Sequence, residues 1–462
     1  MLKRLLVILV FVVCFSFSSN DAFAIYDPLK IPNNYFGIHI ADTNDLEDAQ
    51  RLVNSSGGDW GYVTFVITEA ERDHGRWQKV FNQMRKLHLI PIVRIASKAK
   101  GDVWEKPQEA EINNWIAFLN SLNWVIKNRY VIISNEPNHA KEWGGKVDPE
   151  AYSSYLKEFS MKLKETSDDF FVLPAGLDAS ANNGKDTMDE ALFLRKMLEA
   201  NPDIFSYVDG WVSHSYPNPD FSGNVTDRGK GTVTTYDWEL SCLRSLGIDK
   251  PLPVFITETG WRHTVGQEGD ISSKLTYAFD YIWNDNRVVA VTPFILNYTH
   301  PPFDVFSWKR DEFSFYNFYF DMQKIEKIKG EPVQEVRGDI LTILIQPVQL
   351  AGIEFSGAVL AKNIGQSIWN KDEVSLETTV GDISINSYSF SDVYPDDFAF
   401  IVFKAITPQA VGTYSSWVSL RYKGKDIGNS RSFEVVSFKP SAVQFAGIFD
   451  KISAYLKYFR GP

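Results

Sequence analysis

Cysteine is almost missing from this chain of 462 residues, which holds only Cys14 and Cys242. Cys14 falls in an N-terminal segment that reads as a leader, so the mature chain would keep one thiol. That excludes an internal disulfide and a cysteine cluster for zinc, and leaves packing as the source of stability. Also lacking is any G-x-G-x-x-G or Walker-type run to cradle phosphates. A metallohydrolase barrel would want His-x-His on its first strand, yet "FGIHIAD" offers His39 alone, so no metal and no cofactor are expected. Basic residues are outnumbered, 47 Lys and Arg against 58 Asp and Glu, for a net charge of −11 and a pI near 5.3. That balance argues against a polyanionic partner such as nucleic acid. The N-terminal apolar run, Leu5 to Phe17, is 13 residues, short for a membrane span.

What is present begins with "MLKRLLVILVFVVCFSFSSNDAFA". Lys3 and Arg4, the apolar run and Ala22-Phe23-Ala24 form the three parts of a secretory signal over residues 1–24. A secreted or extracytoplasmic protein is expected, without stable membrane insertion after cleavage, and held at the cell surface if the segment stays on. The length suggests a large domain plus a smaller one. Aromatic residues reach 14% and include 13 Trp, whose flat apolar faces suit sugar rings.

Eight β-branched or aromatic runs recur at "YFGIHI" (35), "WGYVTFVI" (60), "IPIVRIA" (90), "YVIISNEP" (130), "FFVLPAGL" (170), "VDGWVSHSY" (208), "PVFITETG" (253) and "VTPFILNY" (291). The gaps leave room for a helix between each pair. "DPEAYSSYLKEFSMKL" offers Asp148 as N-cap, Pro149 at the first helical position, and Tyr152, Tyr155, Leu156, Phe159 and Leu163 on one face. "RWQKVFNQMRKL" and "ISSKLTYAFDYIW" repeat the pattern. The alternation predicts an α/β fold, a (β/α)8 TIM barrel over residues 33–335. A doubly wound sheet is the rival, disfavoured by the missing phosphate loop. Beyond 335, short alternating strands predict a small antiparallel β-sandwich over 336–438. Residues 441–462 read as an amphipathic tail through Phe445, Ile448, Ile452, Leu456 and Phe459, with docking onto its own domain favoured over a membrane role.

Within "VIISNEPNH", Glu136 closes an apolar strand and Pro137 forbids the next ladder hydrogen bond. Barrel chemistry sits at the C-terminal strand ends, and the seventh run closes in Glu258. Two glutamates facing across one mouth are what glycosidic hydrolysis requires. Carboxylates about 5 Å apart, at an effective dielectric of roughly 20, repel by about 3 kcal/mol, enough to keep one protonated near neutrality. The barrel resembles clan A of the glycoside hydrolases, retaining enzymes with Asn-Glu after strand four and Glu after strand seven. That resemblance implies Glu136 as general acid/base, Glu258 as nucleophile, Asn135 on the sugar 2-hydroxyl and Tyr216 hydrogen-bonded to the nucleophile.

The same resemblance places Arg94 near the nucleophile, with pairing to another barrel carboxylate as the alternative. It gives Trp308 as the floor of the central sugar subsite. His39 and His214 also end strands and are candidate substrate contacts, or hydrogen-bonded core histidines. Trp143, Trp211 and Trp261 flank the rim and read equally as packing, which is favoured for Trp211. The sandwich resembles an immunoglobulin-like module through Asn363, Gly365 and Trp369, then Gly412, Tyr414 and Trp417. It shows no obvious row of exposed aromatics, so a spacer role is expected. The whole reads as an exported retaining glycosidase acting on a β-linked polysaccharide or oligosaccharide of glucan, mannan, xylan or galactan type. "ITETGW" and "NEPNHAKEWGG" resemble different families of the clan, which leaves the family open. The alternatives are a transglycosylase using the same residues and a non-hydrolytic carbohydrate-binding surface protein.

Overall fold

The computed structural model describes residues 25–263 and 268–440. The proposed leader and the amphipathic tail lie outside the described residues. Eight parallel strands come first: β1 (Gly37–His39), β2 (Gly61–Thr68), β3 (Leu89–Ala96), β4 (Arg129–Ile133), β5 (Phe170–Pro174), β6 (Trp211–His214), β7 (Val254–Glu258) and β8 (Val288–Val291). The first five form one sheet in chain order and the last three another. Isolated parallel bridges join the two, Phe36 to Val291 at one seam and Asp178 to His214 at the other. This arrangement fits a barrel.

Among the described residues, eight α-helices accompany the strands: α1 (Leu46–Val53), α2 (His74–Lys86), α3 (Ile112–Ser121), α4 (Pro149–Thr166), α5 (Glu190–Ala200), α6 (Thr235–Ser245), α7 (Glu268–Tyr277) and α8 (Asn317–Lys324). At the start of α4, Asp148 Oδ1 accepts from the Ala151 N–H at 3.1 Å, satisfying one of the orphan donors of the first turn. Tyr152, Tyr155, Leu156, Phe159 and Leu163 bury the inner face, each large apolar side chain contributing about 1.5–3 kcal/mol on leaving water. The eighth strand corrects the sequence reading: it ends at Val291 instead of starting there. Pro293 has no N–H to continue the ladder, and the Phe294 N–H turns to the Thr259 carbonyl.

A second core, from Ile340 to Val435, belongs to strands β9 (Gly338–Leu344), β10 (Val348–Leu350), β11 (Glu354–Asn363), β12 (Val374–Gly381), β13 (Ile385–Ser389), β14 (Phe398–Ile406), β15 (Gly412–Tyr422) and β16 (Lys425–Phe438), antiparallel except where β9 and β10 meet β16 in parallel. They form one sheet in the order β12-β15-β16-β9-β11-β14-β13, with β10 beside β16, folded around that core as a sandwich. Asn123 Nδ2 donates to the Gly365 carbonyl and Gln366 Nε2 to the Ile126 carbonyl, both at 3.0 Å, tying the sandwich to the barrel. The expectation of no exposed aromatic row is overturned: Phe398 and Phe400 alternate outward on β14 and are 63% and 57% exposed. Among the described residues, no helix is long and apolar enough to cross a membrane.

Candidate active site

The chain after β4 turns abruptly. Ser134 and Glu136 both take positive φ, 75° and 32°, a conformation that costs an ordinary residue about 1–3 kcal/mol and persists only when the surroundings impose it. Here the Glu136 N–H donates to the Gly176 carbonyl at 3.1 Å, and the Glu136 carbonyl accepts from His139 at 2.8 Å. The strand thus ends with the Glu136 side chain redirected toward β6 and β7.

A register shift between Ser213 and His214 sets His214 opposite Glu258 in the β6–β7 ladder. Such irregularities commonly re-aim a side chain beside a functional centre. His214 Nδ1 lies 2.8 Å from Glu136 Oε1 and 3.8 Å from Glu258 Oε2. One oxygen of Glu136, one of Glu258 and a ring nitrogen of His214 all fall within 4.8 Å of one another. Arg94 on β3 donates through Nη1 to Asn135 Oδ1 at 2.8 Å and also to Glu258 Oε1. The Tyr216 hydroxyl donates to the other Glu258 oxygen at 3.1 Å.

The charges divide clearly. Burial alone would raise the Glu258 carboxyl, but His214 and Arg94 outweigh it and hold the group well below the usual carboxylate range. Burial alone would lower His214; the charge of Glu258 and the hydrogen bond to Glu136 raise it above an ordinary imidazole instead. His214 lies between the two acids, nearly sealed from solvent, and its ring partners are the carboxylates. His39, buried and beside Arg94, is pushed down to about 3 and stays neutral. Tyr216 is driven well above its usual value by burial, then by Glu258 and Glu136, so it remains a donor.

Of the residues singled out from the sequence as substrate contacts, Trp308 is not brought here. It is 4% exposed and packs edge-on against Phe318 at 5.2 Å, as part of the barrel core. Trp143, Trp211 and Trp261 are likewise buried. Phe294 stands beside the site, edge-on to His39 at 5.1 Å. A cavity of about 400 Å³ opens there, lined by His39, Arg94, Trp104, Phe294, Tyr298 and Phe303 among others. Trp104 reaches it from a small hairpin, Ala99–Lys100 with Val103–Trp104, that follows β3.

Two further groups escaped sequence reasoning. Glu142 accepts from Asn135 Nδ2 at 3.3 Å, and its carboxyl is raised by burial and then by the charge of Glu136. His139 pairs with Asp178 at 2.8 Å. Glu142 and His139 both sit in the quoted "NEPNHAKEWGG" stretch, but no local period marks them; only the turn at Glu136 folds them inward.

Glu136, His214 and Glu258 have donor atoms close enough to share a metal ion. Both Glu258 oxygens already receive a donor, from Arg94 and Tyr216, and a guanidinium against that carboxylate would repel a second cation. The donor set therefore fits an organic electrophile better than a metal.

No family model matches the chain, and no curated protein matches it. Among solved structures it is similar to a family 39 glycoside hydrolase from the gut symbiont Bacteroides cellulosilyticus, at 15% identity over 83% of this chain and 82% of that one, with a TM-score of 0.45. It is also similar to an endo-β-1,4-glucanase from Xanthomonas axonopodis pv. citri, at 14% identity over 63% and 98%, with a TM-score of 0.44. A family 51 α-L-arabinofuranosidase from Bifidobacterium longum shares 10% identity over 83% and 97%, with a TM-score of 0.42. Likeness at this distance does not assign an activity, and the functional reading rests on the site itself.

Proposed function

We propose that this protein is an exported, retaining glycoside hydrolase that cleaves β-glycosidic bonds in a polysaccharide or oligosaccharide by double displacement. The observation that carries the reading is the approach of the Glu136 and Glu258 oxygens to within 4.8 Å. Retaining chemistry needs carboxyl groups about 5–5.5 Å apart, whereas an inverting enzyme leaves about 6.5–9.5 Å for a water.

In the first step a Glu258 oxygen bonds to the anomeric carbon while the bond to the leaving oxygen breaks. The Glu136 proton passes to that oxygen. In the second step the Glu136 carboxylate takes a proton from water, the water oxygen bonds to the anomeric carbon, and Glu258 is released. Arg94 and Tyr216 keep Glu258 ionised and aimed, and Asn135, held by Arg94, faces the sugar 2-hydroxyl. The domain limits read from the sequence, the leader and the immunoglobulin-like character of the sandwich belong to the same proposal. A transglycosylase would share every residue and differ only in the acceptor.

The test is release of reducing ends from a panel of β-glucans, mannans, xylans and galactans. Turnover on at least one, abolished in Glu136→Gln and Glu258→Gln while sugar binding persists, is expected. Binding without turnover across the panel would favour the carbohydrate-binding alternative.

A further inference from the structure

Glu142 has no role in either displacement step, yet it is drawn into the site. The chain leaves Glu136 through a short 3₁₀ turn, Ala140–Glu142, that is pinned on both sides. The Ala140 N–H donates to the Asp186 carbonyl at 2.7 Å, and the Gly144 N–H to the Trp104 carbonyl at 2.9 Å. Trp143 is buried and packs edge-on against Tyr152 at 5.4 Å and Tyr155 at 5.9 Å. With its neighbours fixed, the Glu142 carboxyl turns back to the strand end it follows. Its Oε2 accepts from Asn135 Nδ2 at 3.3 Å, while Oε1 faces the exposed Lys141 at 3.9 Å.

Asn135 is therefore held at both ends of its amide. Arg94 has only hydrogens to give, so the amide oxygen must face it: Nη1 donates to Oδ1 at 2.8 Å, and the nitrogen turns to Glu142. One such bond would be a pivot about which the amide plane could still swing. Two bonds fix the plane, and with it the second hydrogen on Nδ2, which Glu142 does not use. That hydrogen can only be donated, so the sugar must offer it an oxygen. Hydrogen bonds to the 2-hydroxyl strengthen in the oxocarbenium-like transition state, and a misplacement of about 1 Å can cost about 100-fold in rate.

We propose that Glu142 is the positioning residue for Asn135, holding the amide so that its remaining N–H meets the 2-hydroxyl oxygen of the sugar being cleaved. This role rests on the glycosidase reading of the same site and adds a substrate requirement to it: glycosides with a free hydroxyl at C2 are favoured over their 2-deoxy counterparts.

The test uses the full chain and two probes, the 4-nitrophenyl β-glycoside that it turns over fastest and the same compound lacking the 2-hydroxyl on the ring being cleaved. On the first probe Glu142→Ala is expected to lower kcat about 10- to 100-fold with KM within about 2-fold, because the lost contact is made in the transition state. Glu142→Gln keeps an acceptor for Asn135 Nδ2 and should recover all but about 3-fold of that loss. On the 2-deoxy probe wild type and Glu142→Ala should differ by less than about 3-fold. In an Asn135→Ala background, Glu142→Ala should cost less than about 3-fold more on the first probe, since the two residues act as a unit. An equal loss on both probes, or full additivity with Asn135→Ala, overturns the proposal in favour of a brace for the loop. A loss of about 10-fold or more in Glu142→Gln overturns it too, and that variant decides even where a melting curve shows Glu142→Ala unfolded. Wild-type turnover with Glu142→Ala unaltered removes this role alone, whereas a wild type silent on every β-glycoside removes the glycosidase reading and this role with it.

Discussion

Gly176 lies flat against the His214 ring: a Cβ at that position would fall 2.3 Å from His214 Cδ2 and 2.4 Å from Nε2. The same residue's carbonyl receives the Glu136 N–H. One backbone position therefore sets both the acid and the imidazole that touches it. Gly176→Ala should force the ring aside, with a stability loss of about 1–3 kcal/mol from overpacking and about a 100-fold fall in kcat from misplacing Glu136. Urea unfolding and turnover together check this; full activity with the methyl in place would show that His214 does not need its present position.

Tyr216→Phe removes one donor from Glu258 and little else, because the ring stays packed against Phe221 and Phe306. A hydrogen bond to a charged group contributes about 1.5–3 kcal/mol, so kcat should drop roughly 10- to 100-fold. The fold should survive, which a melting curve would confirm.

His39 predicts a pH dependence of stability. Its folded value is lowered to about 3 by burial and then Arg94, below its unfolded value near 6.5. Between those values the unfolded chain binds more protons than the folded one, so this contribution is full above pH 6.5 and is lost as pH falls toward 3. His39→Gln should flatten the slope of unfolding free energy over that window. An unchanged slope would mean that His39 is protonated in the folded protein.

Chelation separates the organic from the metal reading of the same three side chains. With Arg94 and Tyr216 already on Glu258, prolonged EDTA treatment is expected to leave turnover unaltered. Loss of activity restored by a divalent cation would overturn that assignment.

Much of the scaffold was legible because it is written in local periods. The α4 cap at Asp148, its buried stripe and the parallel strand runs need no knowledge of distant residues. Glu136 and Glu258 stood out because a carboxylate at the end of an apolar strand is locally anomalous. The eighth strand was misplaced because Thr292, Pro293 and Phe294 look β-forming by type, and only the missing Pro293 donor and the turn toward Thr259 end the ladder. Trp308 was misassigned because the packing of Phe318 from α8 is a tertiary matter. The place of His214 between two carboxylates depends on three elements converging, and the outward Phe398 and Phe400 depend on which face of an alternating strand meets the core.

The most direct measurement is the anomeric configuration of the first product released from an active β-linked substrate, followed by proton NMR before mutarotation. The account predicts the β-anomer, the configuration retained, because the two carboxylates stand too close for a water to sit between Glu258 and the anomeric carbon. An α-anomer as first product would contradict it.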